Sequence, residues 1–266
     1  RHLESDLGLA LCLDLQGVLN PELRILVMSA TFEAEPVARL LGGAAVIRCA
    51  GRSFPVDTHY MSPRREKSLE SAAADAVLSA AQAEPGSILV FLPGAGEIRR
   101  VLAMLQSARL GPEWLLLPLF GNLSKEEQDQ AIAPAPAGRR KIVLATNIAE
   151  TSLTIEGIRV VVDGGFMRTP RFDVRSGMTR LTTLPVSKAS ADQRRGRAGR
   201  TGPGACYRLW TAESHRALAV RNTPEILQGD LAALVLELAI WGIDDPSRLK
   251  GSILRPQPHA ARPAPF

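Results

Sequence analysis

The sequence predicts an α/β protein: a parallel sheet with helices on both faces. Three observations carry that expectation. Apolar runs at Ile88–Leu92, Trp114–Leu117, Lys141–Ala145 and Arg159–Asp163 alternate with helical-period segments at Leu69–Ala83, Ala95–Leu110, Lys125–Ile132 and Ser190–Ala198. The runs are nearly continuous in apolar character, as strands buried on both sides are. Glycine, proline and small polar residues punctuate the joins.

Taken in order, Leu3, Leu7, Leu11, Leu15 and Val18–Leu19 keep a helical period that Asn20-Pro21 stops. Arg24–Met28 reads as a short apolar strand, Ser29-Ala30-Thr31 closes it, and Glu33–Leu41 reads as a helix. Ser29 or Thr31 could serve simply as that helix's N-cap. Gly51-Arg52-Ser53-Phe54-Pro55-Val56 breaks the pattern and reads as part of a linker over 51–58. The alternation then runs to residue 163. Arg168–Val174, a Ser176-Gly177 turn and Met178–Leu184 read as a β-hairpin. Gly204–Trp210 reads as a further strand, and Ala212–Val220 and Asp230–Trp241 as helices. Gly251–Phe266 has four prolines and no period, and reads as disordered.

A net charge of +5 and a pI near 9.5 lean toward an anionic partner. Trp 3, Tyr 2 and Phe 7 leave too few rings for a base-stacking surface, so backbone tracking by charge and amides fits better. Cys12, Cys49 and Cys206 form no CxxC and read as buried, reduced thiols of a cytoplasmic protein. The four histidines fall at no metal-ligand spacing. Leu231–Trp241 is too short for a bilayer and contains Glu237, so no membrane partner is expected.

The most informative stretch is Gln193-Arg194-Arg195-Gly196-Arg197-Ala198-Gly199-Arg200. Read as a helix started by a Ser190–Gln193 capping box, it sets Gln193, Arg197 and Arg200 on one stripe. Like charges so spaced repel, and a bound phosphate is the simplest explanation. Gly196 and Gly199 leave room for another backbone. An Arg-rich solvated face is the plainer reading, in a chain with only five lysines among its 32 basic residues.

The octapeptide resembles motif VI of superfamily 2 helicases, and its leading Gln is similar to the DEAH-box branch. Other stretches occur in the order of that family. Ser29-Ala30-Thr31 after a strand is similar to motif III, and Phe91-Leu92-Pro93-Gly94 to motif IV. Thr146-Asn147-Ile148-Ala149-Glu150-Thr151-Ser152-Leu153-Thr154-Ile155 is very like motif V, although a strand-to-helix loop rich in capping residues would read similarly. Val46-Ile47-Arg48 with Gly51–Val56 resembles the bacterial HrpB type. No G-K-[ST] and no Asp-Glu dipeptide occur, so the stretch resembles a fragment beginning just past motif II.

The resemblance implies both a layout and a set of roles. Residues 1–50 would be the end of a first RecA-like lobe, 51–58 the linker, and 59–210 the second RecA-like lobe. Residues 211–250 would begin a winged-helix region, with 251–266 as tail. The cofactor would be ATP with Mg²⁺, the metal held by the first lobe, and the partner RNA or another single-stranded nucleic acid. Gln193, Arg197 and Arg200 would be catalytic and contact the nucleotide. Ser152, Thr154 and Glu156 would face its side of the cleft. Gly94, Gly121, Asn122, Thr146 and Asn147 would grip nucleic acid, and Ser29, Ala30 and Thr31 would couple the lobes. The hairpin would separate strands with Arg168, Arg171, Arg175 and Arg180, or be a plain hairpin with solvated arginines. The intact protein would be an ATP-dependent helicase and this chain alone inactive. A non-catalytic nucleic-acid-binding module and a DNA translocase are the alternatives. Pro93 departs from the threonine of many relatives in motif IV, and Ala133 stands near the place of an adenine-stacking aromatic.

Overall fold

The computed structural model describes residues 3–28, 34–49, 54–62, 67–108, 110–150 and 153–243. In chain order the elements are α1 (Leu3–Val18), α2 (Ala34–Leu40), β1 (Val56–Tyr60), α3 (Leu69–Ala83), β2 (Ser87–Phe91), α4 (Ala95–Ser107), β3 (Trp114–Leu119) and α5 (Lys125–Ile132). Next come β4 (Arg140–Ala145), β5 (Ile158–Asp163), β6 (Phe166–Asp173), β7 (Met178–Pro185), α6 (Lys188–Gly196), β8 (Gly204–Arg208), α7 (Ala212–Ala217) and α8 (Ala232–Ile240). Single 3-10 turns lie at Asn147–Ala149 and Glu225–Leu227. The described residues divide into two units, one drawn from 51–169 and 181–222, the other from 1–50, 170–180 and 223–266.

The larger unit holds a six-stranded sheet in the order β1-β8-β5-β2-β4-β3, every pairing parallel. Alternate residues of central β2 enter opposite cores. Ile88 and Val90 pack with Val77 and Ala80 of α3 and with Ile98 and Val101 of α4. Leu89 and Phe91 pack with Ala131 of α5 and with Ala198 just past α6. With a helix layer on each side, every residue of β2 is buried, and its sequence is apolar after the leading Ser87. Serines start the helices as N-caps: Ser68 for α3 and Ser124, with a full Glu127 capping box, for α5.

The linker expected over 51–58 is in part a strand. Val56 pairs with Gly204 and Tyr60 with Arg208, which makes β1 an edge of the sheet. Edge strands are short and half-exposed, so Val-Asp-Thr-His-Tyr lacks the apolar run that marks a central strand. Gly199 makes the junction possible. The Phe54 N–H donates to the Gly199 carbonyl at 2.9 Å, and a Cβ at Gly199 would lie 2.7 Å from the Phe54 oxygen.

In the smaller unit, Leu7 and Ala10 of α1 pack against Leu234 and Leu238 of α8. The Trp241 indole donates to Asp14 at 3.0 Å. The strand expected at Arg24–Met28 does not form: Leu26 and Met28 are 77% and 82% exposed. An apolar run becomes a strand only beside another, and no strand among the described residues pairs with it. Ser29, Ala30, Thr31 and the 251–266 tail lie outside the described residues.

All three cysteines are free thiols, but only Cys206, on β8, is buried; Cys12 and Cys49 are exposed, against expectation. Both sit in the 1–50 segment, where few faces are covered. Burial pushes the Cys206 thiol up to about 12. At pH 8 its thiolate is then about one part in ten thousand. A chromogenic disulfide reagent is expected to titrate two thiols quickly and the third only after unfolding; three equally fast thiols would contradict the packing of β8.

Candidate functional site

The helix of the arginine-rich stretch begins earlier than its sequence suggests. Ser187, not Ser190, is the cap: its hydroxyl accepts from the Ser190 N–H at 3.2 Å. Ser190 is thereby free to donate its own hydroxyl to Glu150 Oε1 at 2.6 Å. The helix also ends earlier, at Gly196, so Gln193, Arg197 and Arg200 form no helical stripe. Gln193 lies half-buried on α6, Arg197 is buried in the turn that follows, and Arg200 is exposed just beyond. Of the two glycines, Gly199 admits a neighbouring backbone and Gly196 meets nothing within 4 Å.

The most buried arginine is one that sequence reasoning passed over. Arg194 is 1% exposed and donates through Nε to Glu150 Oε2 at 3.0 Å and through Nη1 to Asp163 Oδ1 at 2.8 Å. Its guanidinium lies 4.8 Å from the centre of the Phe91 ring. Burial opposes its charge, but Asp163 and Glu150 overcome that penalty and hold its pKa above the ordinary arginine value. The network joins α6 to the ends of β2 and β5 and to the loop after β4. One signal was available: Ala191 stands one helical turn before Arg194, so the two share the inward face of α6.

Arg197 has no carboxylate within ion-pair distance among the described residues. Its Nε donates to the Glu150 carbonyl at 3.2 Å, and its Nη atoms donate to the carbonyls of Glu150 and Leu153. Arg200 donates to the Thr154 hydroxyl at 3.0 Å. Arg197 and Arg200 line one narrow crevice with Leu89, Ala149, Leu153, Ile155 and Ile158. Burial first, and then the charge of Arg200, push the Arg197 group down to about 10. The charge of Glu150 opposes both, and the group remains cationic at neutral pH.

Thr154 and Glu156 are exposed on the loop that carries this crevice, while Ser152 falls outside the described residues. The other candidates lie at strand ends, and Thr146–Asn147 lead into the turn whose Ala149 lines the crevice. Gly94, Gly121–Asn122 and Thr146–Asn147 follow the C-terminal ends of β2, β3 and β4, which are adjacent in the sheet. Ligands of open parallel sheets bind at such ends. Gly121, Asn122 and Asn147 are exposed, and the Thr146 N–H is already used on the Leu119 carbonyl at 3.2 Å. Gly94 is buried, with the Arg168 guanidinium laid over it so that a Cβ would meet Nη1 at 2.4 Å. Arg168 is itself paired with Glu97 at 3.0 Å, whereas Arg171, Arg175 and Arg180 of the hairpin are exposed. Among the described residues no cluster of His, Cys, Asp or Glu could hold a metal ion, and no helix is long and apolar enough to cross a membrane.

The six-stranded parallel sheet with helices on both faces is an α/β architecture of the kind found in helicase C-terminal domains. Residues 70–202, half of the chain, match the helicase conserved C-terminal domain, and the chain belongs to that family. It is 49% identical over 249 residues to Escherichia coli ATP-dependent RNA helicase HrpB, covering 94% of this chain and 31% of that protein. It is 40% identical over 260 residues to mouse probable ATP-dependent RNA helicase DHX34 (92% of this chain, 22% of the relative). It is 42% identical over 232 residues to the Schizosaccharomyces pombe pre-mRNA-splicing factor ATP-dependent RNA helicase prp22 (85% and 20%). The chain thus spans about a third of the first of these relatives and less of the others. Two crystal structures of E. coli HrpB superpose with TM-scores of 0.83 and 0.88 at 49% identity, covering 94% of this chain and 31% and 32% of theirs.

Proposed function

We propose that this chain forms the second nucleotide-facing lobe of an ATP-dependent RNA helicase of the DEAH type. The observation that carries the reading is the Arg197–Arg200 crevice, two cations side by side with no carboxylate paired to either among the described residues. A phosphoryl group supplies the missing charge, and donors fixed in advance stabilise it as charge develops. ATP with Mg²⁺, when bound, supplies the anhydride whose hydrolysis drives movement along nucleic acid.

This chain's part is to orient and to hold charge. Arg197 and Arg200 bind oxygens of the transferring phosphoryl, and Gln193 orients the γ-phosphate or the attacking water. Ser152, Thr154 and Glu156 line the nucleotide side. Thr146, Asn147, Gly121 and Asn122 grip the RNA backbone, with Arg168 covering Gly94 beside them, and Ser29, Ala30 and Thr31 relay the nucleotide state. Mg²⁺ coordination is assigned to no residue of this chain.

Fluorescence anisotropy with single-stranded RNA over a salt series tests the grip. Affinity is expected to fall steeply as salt rises, by a log–log slope of about −0.7 per phosphate contacted, and to vary little with sequence. Asn147→Ala should weaken every RNA alike. Binding indifferent both to salt and to Asn147→Ala would overturn the assignment, and equal affinity for DNA of the same sequence would redirect it toward a DNA translocase.

A further inference from the structure

Glu150 is held from both ends. Its carboxylate accepts from Ser190 Oγ at 2.6 Å and from Arg194 Nε at 3.0 Å, while its backbone carbonyl accepts from Arg197 Nε at 3.2 Å. We propose that Arg194 is a positioning residue that aims the Arg197 guanidinium by fixing Glu150. The proposal deepens, and rests on, the reading of Arg197 as a phosphate-facing group.

Stability alone does not call for ions at this place, because a buried ion cluster can often be exchanged for apolar residues of equal volume at little cost. An apolar cluster cannot, however, set the direction in which the Glu150 carbonyl points. Arg194 can. Its fork reaches Glu150 and Asp163 together, and Asp163 is itself fixed at the end of β5, where its Oδ1 also accepts from the Gly165 N–H at 3.0 Å. The Phe91 ring supports the guanidinium plane from β2. The position of Glu150 is therefore referred to two central strands, and its carbonyl meets Arg197 at a set place. Arg197 lies three residues past Arg194, so the same backbone turn carries both the clamp and the group that it aims. A lysine at 194 would keep the charge but could not bridge two carboxylates in one plane.

The test uses the full chain with ¹⁵N-labelled arginine. Solvent exchange of the Arg197 Nε–H is followed by NMR in the unsubstituted protein, in Arg194→Lys and in the milder Ser190→Ala. Arg140 serves as an internal control, since its Nε is bound elsewhere in the same unit, to the Gly86 carbonyl at 2.7 Å. Exchange at Arg197 is expected to quicken about tenfold in Arg194→Lys and severalfold in Ser190→Ala, with Arg140 unchanged. If Arg194→Lys does not fold, Ser190→Ala decides by the same two signals. Unchanged exchange at Arg197, or exchange that quickens equally at Arg140, would overturn the positioning role. The readout contains no nucleotide, so failure of the phosphate assignment would show separately, as the absence of any response of Arg197 and Arg200 to added pyrophosphate.

Discussion

Replacing Arg200 by alanine, in a longer protein that carries this chain, is expected to lower ATP turnover by about 10³–10⁵-fold. RNA affinity should stay within about twofold, because none of the strand-end residues assigned to the backbone grip is disturbed. Arg200 is the cleaner probe of the two arginines. It is exposed, and its hydrogen bond goes to the Thr154 hydroxyl, so its removal disturbs little of the fold. Arg197→Ala would also release the carbonyls of Glu150 and Leu153, mixing a structural loss with a chemical one. Steady-state turnover and RNA anisotropy measured on the same preparation separate the two roles. Equal loss of both would mean that Arg200 is structural.

The second large effect is on folding. Arg194→Met is expected to cost about 3–5 kcal/mol, because it leaves buried carboxylates without their cation. Asp163 is fully buried and Glu150 is 9% exposed, so solvent cannot take the place of the guanidinium. The loss is concentrated at one point, since Asp163 Oδ2 already has no hydrogen-bond partner among the described residues. Urea denaturation followed by tryptophan emission measures the change. A loss below about 1 kcal/mol would place the network among interactions that merely break even.

The parallel sheet was legible because central strands buried on both faces leave an unbroken apolar signature, as Ile88–Leu92 and Arg159–Asp163 do. The edge was not. β1 has one neighbour and a half-exposed face, so Asp57 and Thr58 hide its first half inside what reads as a linker. The reverse error at Arg24–Met28 has the same root, since apolar content says nothing about whether a partner strand lies alongside. At α6 the Ser190–Gln193 box pattern pointed to a start three residues late, because the cap that forms, Ser187, has no Glu or Gln three residues on. The octapeptide pointed to arginines acting on phosphate, but it could not sort inward from outward ones. That sorting depends on Glu150 and Asp163, which are 44 and 31 residues distant in the chain from Arg194. Carboxylates so remote leave no trace in a local pattern, whereas Ala191, one helical turn before Arg194, did.

The most direct measurement is a pyrophosphate titration of the ¹⁵N-arginine-labelled chain, with chloride at equal ionic strength as reference. The Nε–H signals of Arg197 and Arg200 should move together and saturate with pyrophosphate, stay still with chloride, and lose their response in Arg200→Ala. Movement confined to Arg171, Arg175 and Arg180 of the hairpin, or no movement at Arg197 and Arg200, would contradict the claim that this crevice is built to meet a phosphate.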